Sequence, residues 1–102
     1  MTAQPRIPID RLRIGEFCRK WRVREFALFG SVLRDDFRDD SDVDVLVQLQ
    51  PEHGLSLFDW ADMVEELKQM FGRPVDLVER DGLRNPFRRH SILSNKQVIY
   101  AS

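Results

Sequence analysis

The stretch Phe29-Gly30-Ser31-Val32-Leu33-Arg34-Asp35-Asp36-Phe37-Arg38-Asp39-Asp40-Ser41-Asp42-Val43-Asp44-Val45-Leu46-Val47 decides the reading of this chain. It opens at the end of Glu25-Phe26-Ala27-Leu28-Phe29, a short apolar run that predicts a strand stopped by Gly30. Ser31 to about Asp36 predicts one or two helical turns, with Ser31 as the N-cap. Val43 to Leu49 is β-branched and alternating, which predicts a second strand. Val43, Val45 and Val47 then share one face, and Asp42, Asp44 and Leu46 the other.

Both ends of this stretch carry chemistry. A strand–Gly–Ser–helix turn presents free backbone N–H groups that suit an anion, and Gly30 lets a phosphate approach the backbone. Taken alone, such a turn is usually an ordinary helix cap. At the other end, Asp42 and Asp44 stand at i and i+2, about 6.6 Å apart along one strand face. Two carboxylates at that spacing can converge on a divalent cation, and hard oxygen ligands suit Mg²⁺. An isolated Asp-x-Asp is more often a solvated strand entry, but β-propensity disfavours two aspartates at the start of so apolar a strand. Asp76 adds a third acid, interrupting the apolar run Pro74-Val75-Asp76-Leu77-Val78. If that strand neighbours the strand of Asp42 and Asp44, a shared cation accounts for all three; otherwise Asp76 is an exposed edge-strand acid. A phosphate cradle facing three carboxylates suits phosphoryl or nucleotidyl transfer. The cation would neutralise phosphate charge and activate the attacking hydroxyl, with Asp76 as a possible general base.

Around this centre, Ile9 to about Trp21 predicts a helix entered at Pro8, with Leu12, Phe17, Cys18 and Trp21 on its apolar side. Pro51-Glu52-His53-Gly54 predicts a loop. Ser56 caps a helix to about Phe71, with Asp59 in a capping box, a buried stripe of Leu57, Trp60, Ala61, Val64, Leu67 and Phe71, and Gly72 as its stop. Val75–Val78 predicts a strand. Asn85 and Pro86 open a last helix through about Leu93, and Val98-Ile99-Tyr100 closes the chain as a strand. The expected fold is α/β: a small sheet covered by helices, in one domain over residues 1–102.

Composition narrows the function classes. The formal net charge is -1, from 16 Lys+Arg against 17 Asp+Glu, which argues against nucleic acid or an anionic membrane as the main partner. No apolar run approaches the length of a membrane span, and the N-terminus lacks a signal-peptide core. A single cysteine, Cys18, excludes an internal disulfide framework and fits a reducing cytoplasm. The charges are segregated. Residues 1–24 carry seven positive charges against Asp10 and Glu16, residues 35–44 carry six aspartates against Arg38, and residues 80–96 carry five positive charges against Asp81. Such acidic crowding needs water or a cation to screen it. His53 reads as solvated. His90, with Arg88 and Arg89, reads as a surface face from which nucleotide phosphates are within reach. Cys18, Phe58, Trp60 and Tyr100 read as packing or interface residues.

Gly30-Ser31, ten residues, then Asp42-Val43-Asp44 resembles the Gly-Ser-x10-Asp-x-Asp signature of the DNA-polymerase-β nucleotidyltransferase superfamily, in its minimal nucleotidyltransferase branch. The resemblance runs from the strand before Gly30 to Ile99-Tyr100. It implies an α/β (α+β) palm with a mixed sheet, Mg²⁺ held by Asp42, Asp44 and Asp76, and ATP phosphates contacted at Gly30 and Ser31, with Arg34 supporting the phosphates or the turn. Leu33 and Asp35 depart from the pattern, standing where relatives often carry Ala and Gly. Small members resemble the antitoxin half of HEPN–MNT pairs. That likeness implies transfer of AMP from ATP to a tyrosine of a partner HEPN RNase toxin, in a homo- or hetero-oligomer. The alternative is a non-catalytic module that neutralises its partner by covering it.

Overall fold

The computed structural model describes residues 5–102. Helix α1 (Arg11–Lys20) leads into strand β1 (Val23–Phe29) and a 3₁₀ turn at Gly30–Leu33. Strand β2 (Val43–Leu49), helix α2 (Leu57–Phe71) and strand β3 (Val75–Glu79) follow. A short 3₁₀ turn at Arg80–Gly82 then leads to helix α3 (Pro86–Asn95) and strand β4 (Gln97–Ala101). The four strands form one mixed sheet in the order β3-β2-β1-β4. β1 runs antiparallel to both β2 and β4, and β3 runs parallel to β2. The α2 crossover makes that parallel pair possible, since parallel neighbours need a long connection.

Alternation in the strands sorts the core into two unequal halves. Phe26, Leu28, Val43, Val45 and Val47 are fully buried on one face beneath Ile14, Phe17 and Cys18 of α1 and Met63 and Leu67 of α2. Each such large side chain taken from water contributes about 1.5–3 kcal/mol. The Cys18 thiol is pushed up to about 12 by burial, with Arg19 opposing, so it acts as a small apolar group. The other face is thinner. Ala27, Phe29 and Leu46 meet only Ile92 of α3 and Leu83, with Val78 and Leu93 partly buried beside them.

The helix ends follow local chemistry. Ser56 and Asp59 form both bonds of the capping box, and Gly72 ends α2 at φ 69. Asn85 accepts from the N–H groups of Phe87 and Arg88 at the start of α3. α1 starts two residues later than the Ile9 entry, because the Asp10 side chain accepts from the Arg13 N–H and so fixes the cap. Two apolar residues lie outside their expected stripes: Leu12 and Leu57 are exposed, each in the opening turn of its helix. Ala61 is also exposed, while Met63 takes the fully buried place. Among the described residues no helix is long and apolar enough to cross a membrane.

Candidate active site

The candidate residues gather where β1 ends and β2 and β3 begin. Phe29 is the register partner of Asp44 across the antiparallel pair, so Gly30 follows directly beside that carboxylate. A Cβ at position 30 would collide with Asp44 Oδ2, and Gly30 has φ +74. Two separate demands, one for space and one for left-handed backbone, therefore require glycine here. On the other side of β2, Asp44 is the register partner of Asp76 in the parallel pair. Asp42 precedes Asp44 by two residues and belongs to the same side of β2, opposite the buried Val43 and Val45.

Asp44 is half-buried, whereas Asp42 and Asp76 are exposed. Asp76 therefore lies on an edge strand open to solvent, and burial without a partner does not single it out. Its register beside Asp44 does. The electrostatics agree with this grouping. Burial raises the Asp44 carboxyl above its ordinary 3.8, Asp76 and then Asp42 raise it further, and Arg34 and Arg88 lower it. Four ionisable groups from four segments of the chain thus act on Asp44.

The turn itself differs from the expected helix. Residues 30–33 make a single 3₁₀ turn in which Phe29, not Ser31, holds the capping position, without a side-chain bond. Gly30 redirects the chain first, so Ser31 falls inside the turn. So short a segment has little dipole, and any anion binding would rest on individual N–H groups. The Arg34 N–H donates to the Ser31 carbonyl at 2.9 Å, and Arg34 Nε donates to Asp36 Oδ1 at 3.2 Å. The Arg6 N–H donates to the Val32 carbonyl at 2.8 Å, and its guanidinium pairs with Asp35. Asp35 has no left-handed backbone, so the glycine that relatives often carry there is not needed for this turn.

A cleft of about 400 Å³ opens beside the turn. Phe29, Gly30, Leu33 and Arg34 line one wall, and Ser91, Ile92 and Asn95 of α3 the other. Ser91, Ile92 and Asn95 were not found in the sequence as site residues, and Arg88 was read there as part of a surface face within reach of nucleotide phosphates. The signal available was the apolar Ile92, whose packing against the Asp44 face fixes which side of the sheet α3 covers. The histidines lie apart: His53 Nδ1 accepts from the Leu55 N–H at 3.0 Å in a loop, half-buried rather than solvated, and His90 is exposed. Trp60 and Tyr100 are half-buried against the main core, and Phe58 is exposed.

The all-oxygen donor set fits a hard divalent cation, and a cation would relieve the like-charge crowding that raises Asp44. Among the described residues no group of three or more acidic, histidine or cysteine side chains is placed to hold a metal ion by itself. An open set of carboxylates is compatible with Mg²⁺, which keeps several waters and shares phosphate oxygens with its substrate.

A mixed sheet that sets neighbouring carboxylates beside a glycine-started turn and a cleft is the framework of a nucleotidyl-transfer palm. Residues 12–99 match the model of the nucleotidyltransferase domain family, and the chain belongs to that family. It is 33% identical to the protein adenylyltransferase MntA of Thermococcus cleftensis, over 83% of this chain and 81% of that protein. Its fold is that of a toxin–antitoxin crystal structure with AMP-PNP, at TM-score 0.73 and 17% identity, covering 92% of this chain and 75% of the other. A similar fold occurs in a chain of the structure of a tri-AMPylated Shewanella oneidensis HEPN toxin in complex with an MNT antitoxin, at TM-score 0.65 and 17% identity, covering 90% of this chain and 70% of the other.

Proposed function

We propose that this chain is a Mg²⁺-dependent protein adenylyltransferase that moves AMP from ATP to a tyrosine hydroxyl of a partner HEPN RNase toxin and silences it. The observation that carries the reading is the register of Asp44 beside Asp76, with Gly30 leaving the Asp44 carboxylate its space. Support for the donor and acceptor comes from relatives: one 33% identical protein is named a protein adenylyltransferase, and fold neighbours include a complex with AMP-PNP and one with an AMPylated HEPN toxin. ATP as donor and a reduced cysteine both fit a cytoplasmic reaction.

Asp42, Asp44 and Asp76 are the residues to hold the cation. When bound there, Mg²⁺ supplies neutralisation of phosphate charge and a lowered pKa for the acceptor hydroxyl. The chain's own groups do the rest. N–H groups around Gly30 and the Ser31 hydroxyl hold phosphate oxygens, and Arg34 adds positive charge at the cleft wall. The tyrosine oxygen attacks the α-phosphorus. The bond from that phosphorus to the oxygen bridging to the β-phosphate breaks, and its electron pair leaves with pyrophosphate. The hydroxyl proton passes to the Asp76 carboxylate, whose exposure on the edge strand leaves it open to a protein acceptor.

The test is transfer of label from α-phosphate-labelled ATP to a purified HEPN partner, with peptide mapping of the modified residue. Label on a tyrosine that disappears in Asp42→Asn/Asp44→Asn is expected. Persistence of label in that double variant would overturn the reading, and undiminished silencing of the toxin by the double variant would show neutralisation by cover alone.

A further inference from the structure

We infer that Arg88, in the first turn of α3, is a triphosphate-binding residue that closes the nucleotide site from the wall opposite Gly30, Ser31 and Arg34. The inference rests on the adenylyl-transfer reading above and adds a residue to it.

Placement comes first. α3 crosses the carboxylate side of the sheet, anchored by Ile92 among Ala27, Phe29 and Leu46. Arg88 precedes Ile92 by four residues, so it shares that helix face, one turn closer to the N-terminus. The next turn along, Ser91, Ile92 and Asn95, lines the cleft against Gly30 and Arg34. Arg88 itself is exposed, one helical turn from that wall and on the same helix face as Ile92.

The second observation is that, among the described residues, the Arg88 guanidinium makes no hydrogen bond or ion pair. Arg89 donates to the Arg80 carbonyl at 3.1 Å and so ties α3 to the preceding turn. For Arg88 only the backbone N–H is engaged, by Asn85, and the guanidinium has no carboxylate partner among the described residues. A positive charge in the first turn of a helix opposes the helix dipole, and α3 has no acid in that turn to offset it. A cation that opposes its helix dipole, has no bonded partner and lies one turn from a proposed phosphate site is suited to an anion that arrives with the substrate. In the reaction it would donate N–H groups to oxygens of the β- and γ-phosphates and meet the charge that pyrophosphate carries away, forming no bond itself.

The test compares binding of AMP-PNP and of AMP, each with Mg²⁺, to the full chain by titration calorimetry. Arg88→Ala is expected to weaken AMP-PNP about tenfold or more, the scale of a lost charge-assisted hydrogen bond, while AMP binding changes by less than about twofold. Arg88→Lys should recover part of the loss, and Arg84→Ala should change neither ligand. Unchanged AMP-PNP affinity in Arg88→Ala would overturn the inference and leave the enzyme reading standing. Equal losses for both ligands would assign Arg88 a structural role and overturn it as well. Wild-type protein that binds neither nucleotide would overturn both readings together.

Discussion

Asp44 is held at a cost to the fold. Burial, Asp76 and Asp42 raise its carboxyl above 3.8, so the folded chain binds a proton there more readily than the unfolded chain does. Stability from this group therefore falls as pH rises from 3.8 through the raised value, and the cost is greatest above it. Asp44→Asn removes the charge and is expected to raise Tm at pH 7 by roughly a few degrees. That gain should shrink to nothing as pH falls below 3.8, where aspartate and its amide are alike in charge. Thermal scans at the two pH values check this, and an equal gain at both would remove the electrostatic account. Added Mg²⁺ at pH 7 should raise the Tm of the wild type and leave Asp44→Asn where it was. Gly30 belongs to the same balance: the carboxylate occupies the space of the side chain that glycine lacks.

At the scale of elements, the segment that delivers Asp42 is fixed by a residue the sequence did not single out. Arg73, in the turn between α2 and β3, donates through Nη1 to the carbonyls of Arg38 at 3.0 Å and Ser41 at 3.3 Å. Its guanidinium also lies 4.5 Å from the centre of the Phe37 ring. Ser41 closes the same loop: its Oγ accepts from the Arg38 N–H at 3.0 Å, and its own N–H donates to the Arg38 carbonyl at 3.0 Å. Arg73→Ala is expected to cost about 1 kcal/mol in stability, the net worth of the lost hydrogen bonds. It should also speed amide exchange across residues 38–42 and lower the labelling rate several-fold, because Asp42 loses its fixed approach. Lysine should restore little, having neither the planar fork nor the stacking surface. Exchange rates unchanged over that loop would show that Arg73 does not hold it. The sequence showed six aspartates crowded over residues 35–44 and a need to screen them. It did not show that Arg6, Arg34 and Arg73, from three separate places, supply the countercharge and the anchors. Those contacts depend on chain path, which local pattern does not encode. The same limit explains Leu12 and Leu57: helical spacing gives the period of a stripe, but which turn first reaches the sheet is set by tertiary packing.

Across the whole molecule, the two sheet faces differ in depth, and that difference places the cleft. Alternation at Val43, Val45 and Val47 was legible because a strand with one deeply covered face repeats every two residues, and the Gly30-to-Asp44 spacing was legible because Gly30 directly follows β1 and Asp44 lies on its neighbour β2. The role of α3 was not legible, since no local signal says over which strands a terminal helix lies. In the fold, α1 and α2 bury a continuous core, while α3 is anchored mainly by Ile92, with Leu83 preceding it. Few buried contacts mean a low free energy of local opening, so α3 should open without the rest of the molecule. Its amides are therefore expected to exchange faster than those of β1 and β2 in the free protein, at rates insensitive to small changes in global stability. Nucleotide bound between the Gly30 turn and α3 would add contacts to that helix alone. AMP-PNP with Mg²⁺ should then slow exchange across Arg88–Asn95 by about tenfold or more, the effect of a ligand at many times its Kd on an opening that excludes it. Protection should spread little into α1, which lies under the opposite face. Protection confined to α1 and α2, or none on α3, would place the nucleotide away from the cleft and separate the carboxylates from the wall that faces them.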